Sequence, residues 1–261
     1  MILPRHLMEN EPELKELIDS PVAIRWMGPD AHIVAYPIKA HQAFNIVTTH
    51  ITDRHDLSED WTEQADKKQM QERFSNYVRC LPSAPVHVRL VADSAPFLSA
   101  PQAPIVNRLF ELAPEGALVE WVLRIHEPLS HWVDNRVALL GDAAHATLPH
   151  IAQGAAMAGE DGAVLATVLA ALTSKDNIHR ALKVFENLRK PRADWAVEQA
   201  RVTGENLHIA DGPAQEARDR MIGEATKPGV ANPDKWGDKD VQQRLYSYDA
   251  VKEAEKEAVG L

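Results

Sequence analysis

The chain has 261 residues, 45% of them hydrophobic and 25% charged, enough to build one large core or two small ones and unlike a disordered polypeptide. Its formal net charge of −10 argues against a nucleic-acid surface and against adhesion to anionic lipid. One cysteine, Cys80, excludes an internal disulfide framework and a multi-cysteine zinc site and reads as an ordinary helix-end residue.

The N-terminal "MILPRHLMENEPELKELID" turns acidic too early for a signal peptide, and no stretch is apolar for long enough to span a membrane. A soluble, cytoplasmic protein is expected. "NEPELKELID" places Leu14, Leu17 and Ile18 at helical spacing behind a Pro. "PVAIRWM", "AHIVAYPI" and "QAFNIVTTH" read as three antiparallel strands, joined at Gly28-Pro29-Asp30 and at Lys39-Ala40-His41. His32 and Tyr36 stand four apart on the second strand and so share a face. An imidazole and a phenol there suit binding or deprotonating a phenolic substrate, or are a surface histidine and a core tyrosine.

Ser58 to Val78 reads as a surface helix with a thin apolar face, capped by Ser58. Leu81 to Pro104 reads as irregular apart from a short strand, "VHVRLVA". "ALVEWVLRIHE" alternates as a strong strand, and "RVALL" reads as a short buried strand of the parallel type. A helix is expected over Ala155–Thr173, then a long charged one over Asn177–Leu207 that Pro191 kinks or splits. Polar helical segments between Pro and Gly complete the chain from Asp211.

The chemistry concentrates in "RVALLGDAAHATLPHIAQGAAMAGEDGAVLATVLA". A lone Gly-Asp is ordinarily a turn or a helix N-cap. Here Asp142 is followed by a loop with Pro149 and by a helix opened by Gly154, whose early residues Ala155, Ala156 and Ala158 are small. Small side chains let a flat ligand reach the backbone, and a helix start offers unpaired N–H groups and partial positive charge. Such an end suits an anionic or electron-rich group, with Asp142 free to bond hydroxyls. No spacing suggests a metal site, and there is no nucleophile elbow or phosphate-binding Walker loop.

"GDAAHATLPHIAQGAAMAGEDGAVLA" closely resembles the flavin-contacting motif of single-component, FAD-dependent aromatic hydroxylases of the salicylate hydroxylase-like group. "GPDAHIVAYPIKAHQAFNIV", "EPLSHWVDNRVALLGDAAH", "FENLRKPRADWAVEQA" and the C-terminal stretch from Asp211, of the type seen in fungal members, extend the resemblance over essentially the whole chain. It implies an FAD- and NAD(P)H-dependent monooxygenase that hydroxylates an aromatic small molecule through a flavin C4a-hydroperoxide. Gly141 and Asp142 would meet the ribityl region. Gln153, Gly154 and Ala155 would line the isoalloxazine, and Pro149 would sit near the site of oxygen reaction. Tyr36 lies on the strand that carries a site tyrosine in related hydroxylases, with His32 beside it as the second catalytic candidate. His145 is read as structural, and Glu160 and Asp161 as serving helix packing.

The family's Gly-x-Gly-x-x-Gly, which holds the FAD pyrophosphate, is absent from the sequence. The expected fold is therefore α+β. A substrate-binding antiparallel sheet over 1–131 would precede a partial FAD-binding domain over 132–208 and a helical tail over 209–261. A separate chain supplying the dinucleotide-binding half, or self-association through exposed apolar surface, is the expected partner. The alternatives are a catalytically inactive truncated paralogue that binds a small molecule or a partner, and a gene-model fragment.

Overall fold

The computed structural model describes residues 1–51, 62–75, 103–225, 227 and 229–261. They form a mixed α+β structure of two compact units: Met1–Val122 with Asn206–Pro233, and Leu123–Glu205 with Asp234–Leu261. The expected tail 209–261 is thus divided between the two.

In the first unit, β1 (Ile2–Pro4), β2 (Ile24–Gly28), β3 (Ala31–Ile38) and β4 (Ala43–His50) form an antiparallel sheet in the order β1-β4-β3-β2. The three read from the sequence pair as expected, with Trp26 opposite Ile33 and Ala35 opposite Ile46. This alternation puts Ile24, Trp26, Ile33, Ala35, Phe44 and Ile46 on one face, in the core. Three helices cover that face: α1 (Pro12–Asp19) through Leu14, Leu17 and Ile18; α2 (Lys67–Ser75) through Met70 and Phe74; and α3 (Ala103–Glu111) through Leu109 and Phe110. The Phe74 and Phe110 rings stack at 5.6 Å. Helix α2 is therefore a core helix and not a surface one, because its two large apolar residues, four apart, fall on one side. Its expected start at Ser58, the strand "VHVRLVA" and Cys80 lie outside the described residues.

The turn from β3 to β4 holds Lys39, Ala40 and His41 all at positive φ, which side chains disfavour. It is tied down from outside: His41 Nδ1 lies 2.6 Å from the Ile18 carbonyl, and Arg5 Nη1 donates to the His41 carbonyl at 3.2 Å. On the sheet's other face, Met27 packs with Leu207 and with Ile222 of α7 (Pro213–Glu224).

The strong strand expected at "ALVEWVLRIHE" is reduced to β6 (Val119–Trp121), paired only with β5 (Thr62–Gln64) among the described residues. Val122, Leu123 and Ile125 lie exposed beyond it. Alternation makes a strand only where one face is covered and an edge is paired.

The second unit corrects another expectation. "RVALL" is not a buried parallel strand: β7 (Val133–Asp134) and β8 (Val137–Ala138) form an antiparallel hairpin, with Val137 65% exposed. Asn135 in the left-handed region makes the two-residue turn, a signal present in "VDNRV". Helix α5 (Gly154–Ala170) follows the short α4 (Asp142–His145), and buries Met157, Asp161, Val164 and Val168. It packs against α9 (Ala250–Glu257), whose buried face is Ala250 and Ala254, extended by Ala258. The α6 helix (Ile178–Leu207) runs through Pro191 unbroken. The expected split fails because both sides of Pro191 grip one carboxylate: Arg189 and Arg192 each bond Glu160. Helix α8 (Lys239–Tyr246) is capped by Asp238, and its last carbonyls accept from Arg192. No helix among the described residues is long and apolar enough to cross a membrane.

Candidate functional site

The sequence motif folds as two turns against the start of α5. Gly141 opens α4 at φ 59° and ψ −144°, a conformation closed to other residues without strain. Its amide donates to Asp161 Oδ2 at 2.9 Å, and a Cβ built on it would stand 3.5 Å from Ala158. Asp142 is exposed, and among the described residues its carboxylate has no hydrogen-bond or ion partner. Pro149, also exposed, begins a 3-10 turn that ends in left-handed Ala152. Gln153 is buried at the N-cap of α5 and makes no side-chain cap.

Helix α5 therefore begins with its dipole unanswered. Its first turn has no acidic residue, Met157 N–H is the first to bond back, to Gln153, and the amides of Gly154, Ala155 and Ala156 have no acceptor among the described residues. Ala155 and Ala156 are exposed, and no side chain over Gly154–Ala156 is larger than a methyl. The arrangement can accept an electron-rich edge at the helix start and hydroxyl donors at Asp142.

Behind these turns is a buried polar network. Asp161 Oδ2 lies 2.7 Å from His145 Nε2, and its Oδ1 accepts from Arg189 Nε at 2.8 Å. Burial alone would raise the Asp161 pKa, but the bonds from His145, Arg189 and Gly141 outweigh it and hold the group below the usual carboxylate range. Burial likewise works against the Arg189 charge, and Asp161 with Glu160 more than restores it. Glu160 receives Arg192 through two bonds of 2.7 Å, and the Arg192 guanidinium stacks 4.1 Å over the Tyr248 ring. His145, Glu160 and Asp161 thus meet in one network of polar contacts between α4, α5 and α6. Their partners Arg189 and Arg192 were overlooked; the available signal is an i,i+3 arginine pair on a helix whose opposite number offers Glu-Asp.

His150, one residue beyond Pro149, is buried edge-on against α6. A Cβ at Gly204 would stand 2.6 Å from its ring, so the glycine is needed for the approach.

The two candidates of the first unit, His32 and Tyr36, do share the sheet face opposite the helices. His32 is buried at the start of β3 and Tyr36 half-buried, paired across to Asn45. His32 Nδ1 faces His208 Nε2 at 2.7 Å, a residue just past α6 whose carbonyl also accepts the Asp30 amide. Burial, with Arg25 and His50 adding to it and Asp30 opposing, pushes the His208 pKa down to about 4. His208 gives no local signal; only the fold joins positions so far apart in sequence. A cleft of about 470 Å³ opens elsewhere on this unit, lined by His50, Gln69, Arg73 and Glu120, and contains none of the expected site residues.

The model for the family described as "FAD binding domain" matches residues 124–200, the stretch that contains both turns and the start of α5. Curated relatives extend the match. The FAD-dependent monooxygenase atnJ of Arthrinium sp is 34% identical over 259 residues, 99% of this chain and 54% of its own length. The salicylate hydroxylase of Pseudomonas putida is 28% identical over 217 residues, 80% of this chain and 43% of its own. Among solved structures, a salicylate hydroxylase substrate complex superposes with a TM-score of 0.68 at 21% identity, covering all of this chain and 55% of that one, a likeness of fold. The chain belongs to the FAD-dependent monooxygenase family, in its salicylate hydroxylase-like branch with fungal homologues. It spans about half the length of the curated relatives it matches.

Proposed function

We propose that this chain carries the flavin-ring and ribityl contacts, together with the substrate sheet, of an FAD- and NAD(P)H-dependent monooxygenase that hydroxylates an aromatic or phenolic small molecule. The observation that carries the reading is the uncapped start of α5, in the same motif as the exposed carboxylate of Asp142, which has no hydrogen-bond or ion partner among the described residues. The residues present fit FAD at that end. Asp142 accepts hydroxyls of the ribityl chain, the amides of Gly154–Ala156 face the electron-rich edge of the ring, and Ala155 leaves room for it to lie flat. Gln153 and Pro149 complete the lining. Bound FAD supplies the redox chemistry by which NAD(P)H and O2 give one oxygen atom to the ring and the other to water. His32 and Tyr36 bind the phenol. His208, which burial keeps neutral near pH 7, lies 2.7 Å from His32 and orients its ring toward that face.

The test is retention of FAD after desalting, read by absorbance and fluorescence. Micromolar affinity that falls about 10–100-fold in Asp142→Ala, the loss of hydrogen bonds to a charged group, supports the reading. NAD(P)H oxidation with a panel of phenols then tests turnover. A folded chain that retains no flavin counts against a sufficient half-site. Exposed Val137, Leu139 and Leu140 favour a second element in that case: an adenosine-holding half, in the same polypeptide or another, that covers them.

A further inference from the structure

We propose that Asp161 is a positioning residue: its buried carboxylate clamps both ends of the Gly141–His145 turn and so holds Asp142 out toward a polyhydroxyl chain. The inference rests on the flavin reading of Asp142. Oδ2 takes the Gly141 amide at the start of the turn, at 2.9 Å, and meets His145 Nε2 at its end, at 2.7 Å. A carboxylate only accepts, so His145 carries its hydrogen on Nε2. The Gly141 carbonyl closes the loop by accepting from Ala144 and His145, both at 2.9 Å. Asp142 lies between the two clamped points, and its carboxylate has no hydrogen-bond or ion partner among the described residues. Its direction is therefore set by the backbone alone, and Asp161 sets the backbone. Arg189 completes the carboxylate from the other side, through Oδ1 at 2.8 Å. The two oxygens thus have separate tasks: Oδ1 pairs a charge and Oδ2 holds the turn.

That division makes the proposal testable. Asp161→Leu keeps the size of the side chain and offers no acceptor to any of the three donors. Arg189→Met leaves both Oδ2 contacts in place, and the double variant removes both charges to keep the fold. Amide exchange over residues 137–146 and FAD titration would be measured on all four full-length chains. The expected result is exchange about 10-fold faster over 137–146 in Asp161→Leu and in the double variant, FAD affinity lower by about the same factor, and a changed flavin band shape. Arg189→Met loses stability and leaves exchange over 137–146 and the flavin band as in wild type. Equal loosening in Arg189→Met, or none in Asp161→Leu, overturns the clamp. A loosened turn with unchanged FAD affinity overturns its role toward the cofactor. A wild-type chain that takes up no FAD fails the flavin reading instead, and the exchange comparison still upholds or overturns the clamp.

Discussion

His208 makes a charge costly where it sits, and that has a measurable pH signature. Its folded pKa of about 4 lies below the ordinary 6.5, so the unfolded chain binds the proton more readily. The stability this group allows is whole above pH 6.5 and is lost as pH falls through that window toward pH 4. Urea midpoints of the wild type should decline across the window, and those of His208→Gln should decline less. Asp161 acts lower on the scale: its carboxylate is held below its usual 3.8, so its contribution persists above that value and goes as pH falls through the depressed pKa. Gly204 imposes a steric limit of a different kind. Gly204→Ala would drive a methyl into the His150 ring, 2.6 Å away, and overpacking of this sort costs about 1–3 kcal/mol. Equilibrium denaturation should show that loss; an unchanged midpoint would mean that the ring simply swings aside.

At the scale of elements, two local strains are held by neighbours, and relieving each should stabilise the chain. Ala40 is exposed in a left-handed conformation between Lys39 and His41. Ala40→Gly removes the Cβ penalty, partly offset by a more flexible unfolded chain, for a net gain of about 0.5–1 kcal/mol. Pro191 interrupts the hydrogen bonding of α6 at an exposed position. Pro191→Ala should raise stability by about 1–3 kcal/mol, measured as a higher denaturation midpoint. These cases also mark where sequence pattern suffices. Leu14, Leu17 and Ile18 announce α1 because one helical face meets one core, and β2 to β4 announce themselves because their alternation meets a sheet covered on one side. Pro191 misleads because the arginine clamp on Glu160, a contact between helices, overrides a local rule. Trp121 and Ile125 mislead because alternation records a preference for pairing and not the presence of a partner. Of the candidate site, the Gly141–Ala155 run is legible as a contiguous motif, while His208 and Arg189 become visible only through the fold.

For the molecule as a whole, apolar side chains stand exposed in both units among the described residues, and those of the second unit lie closest in sequence to the candidate site. Val137, Leu139, Leu140 and Leu169 are exposed. A hydrophobic dye should therefore bind the native chain, and Val137→Thr with Leu139→Gln should reduce its fluorescence without lowering the denaturation midpoint. Unchanged dye binding would place the accessible apolar surface elsewhere. Gly204 and Asp142 also differ in what holds them in place over generations. Gly204 is required by packing alone, whatever the chain does. Asp142, exposed and without a hydrogen-bond or ion partner among the described residues, contributes little to the folded state. Packing thus fixes the glycine whatever the chain binds, whereas only a ligand of the kind proposed for that turn would fix the aspartate.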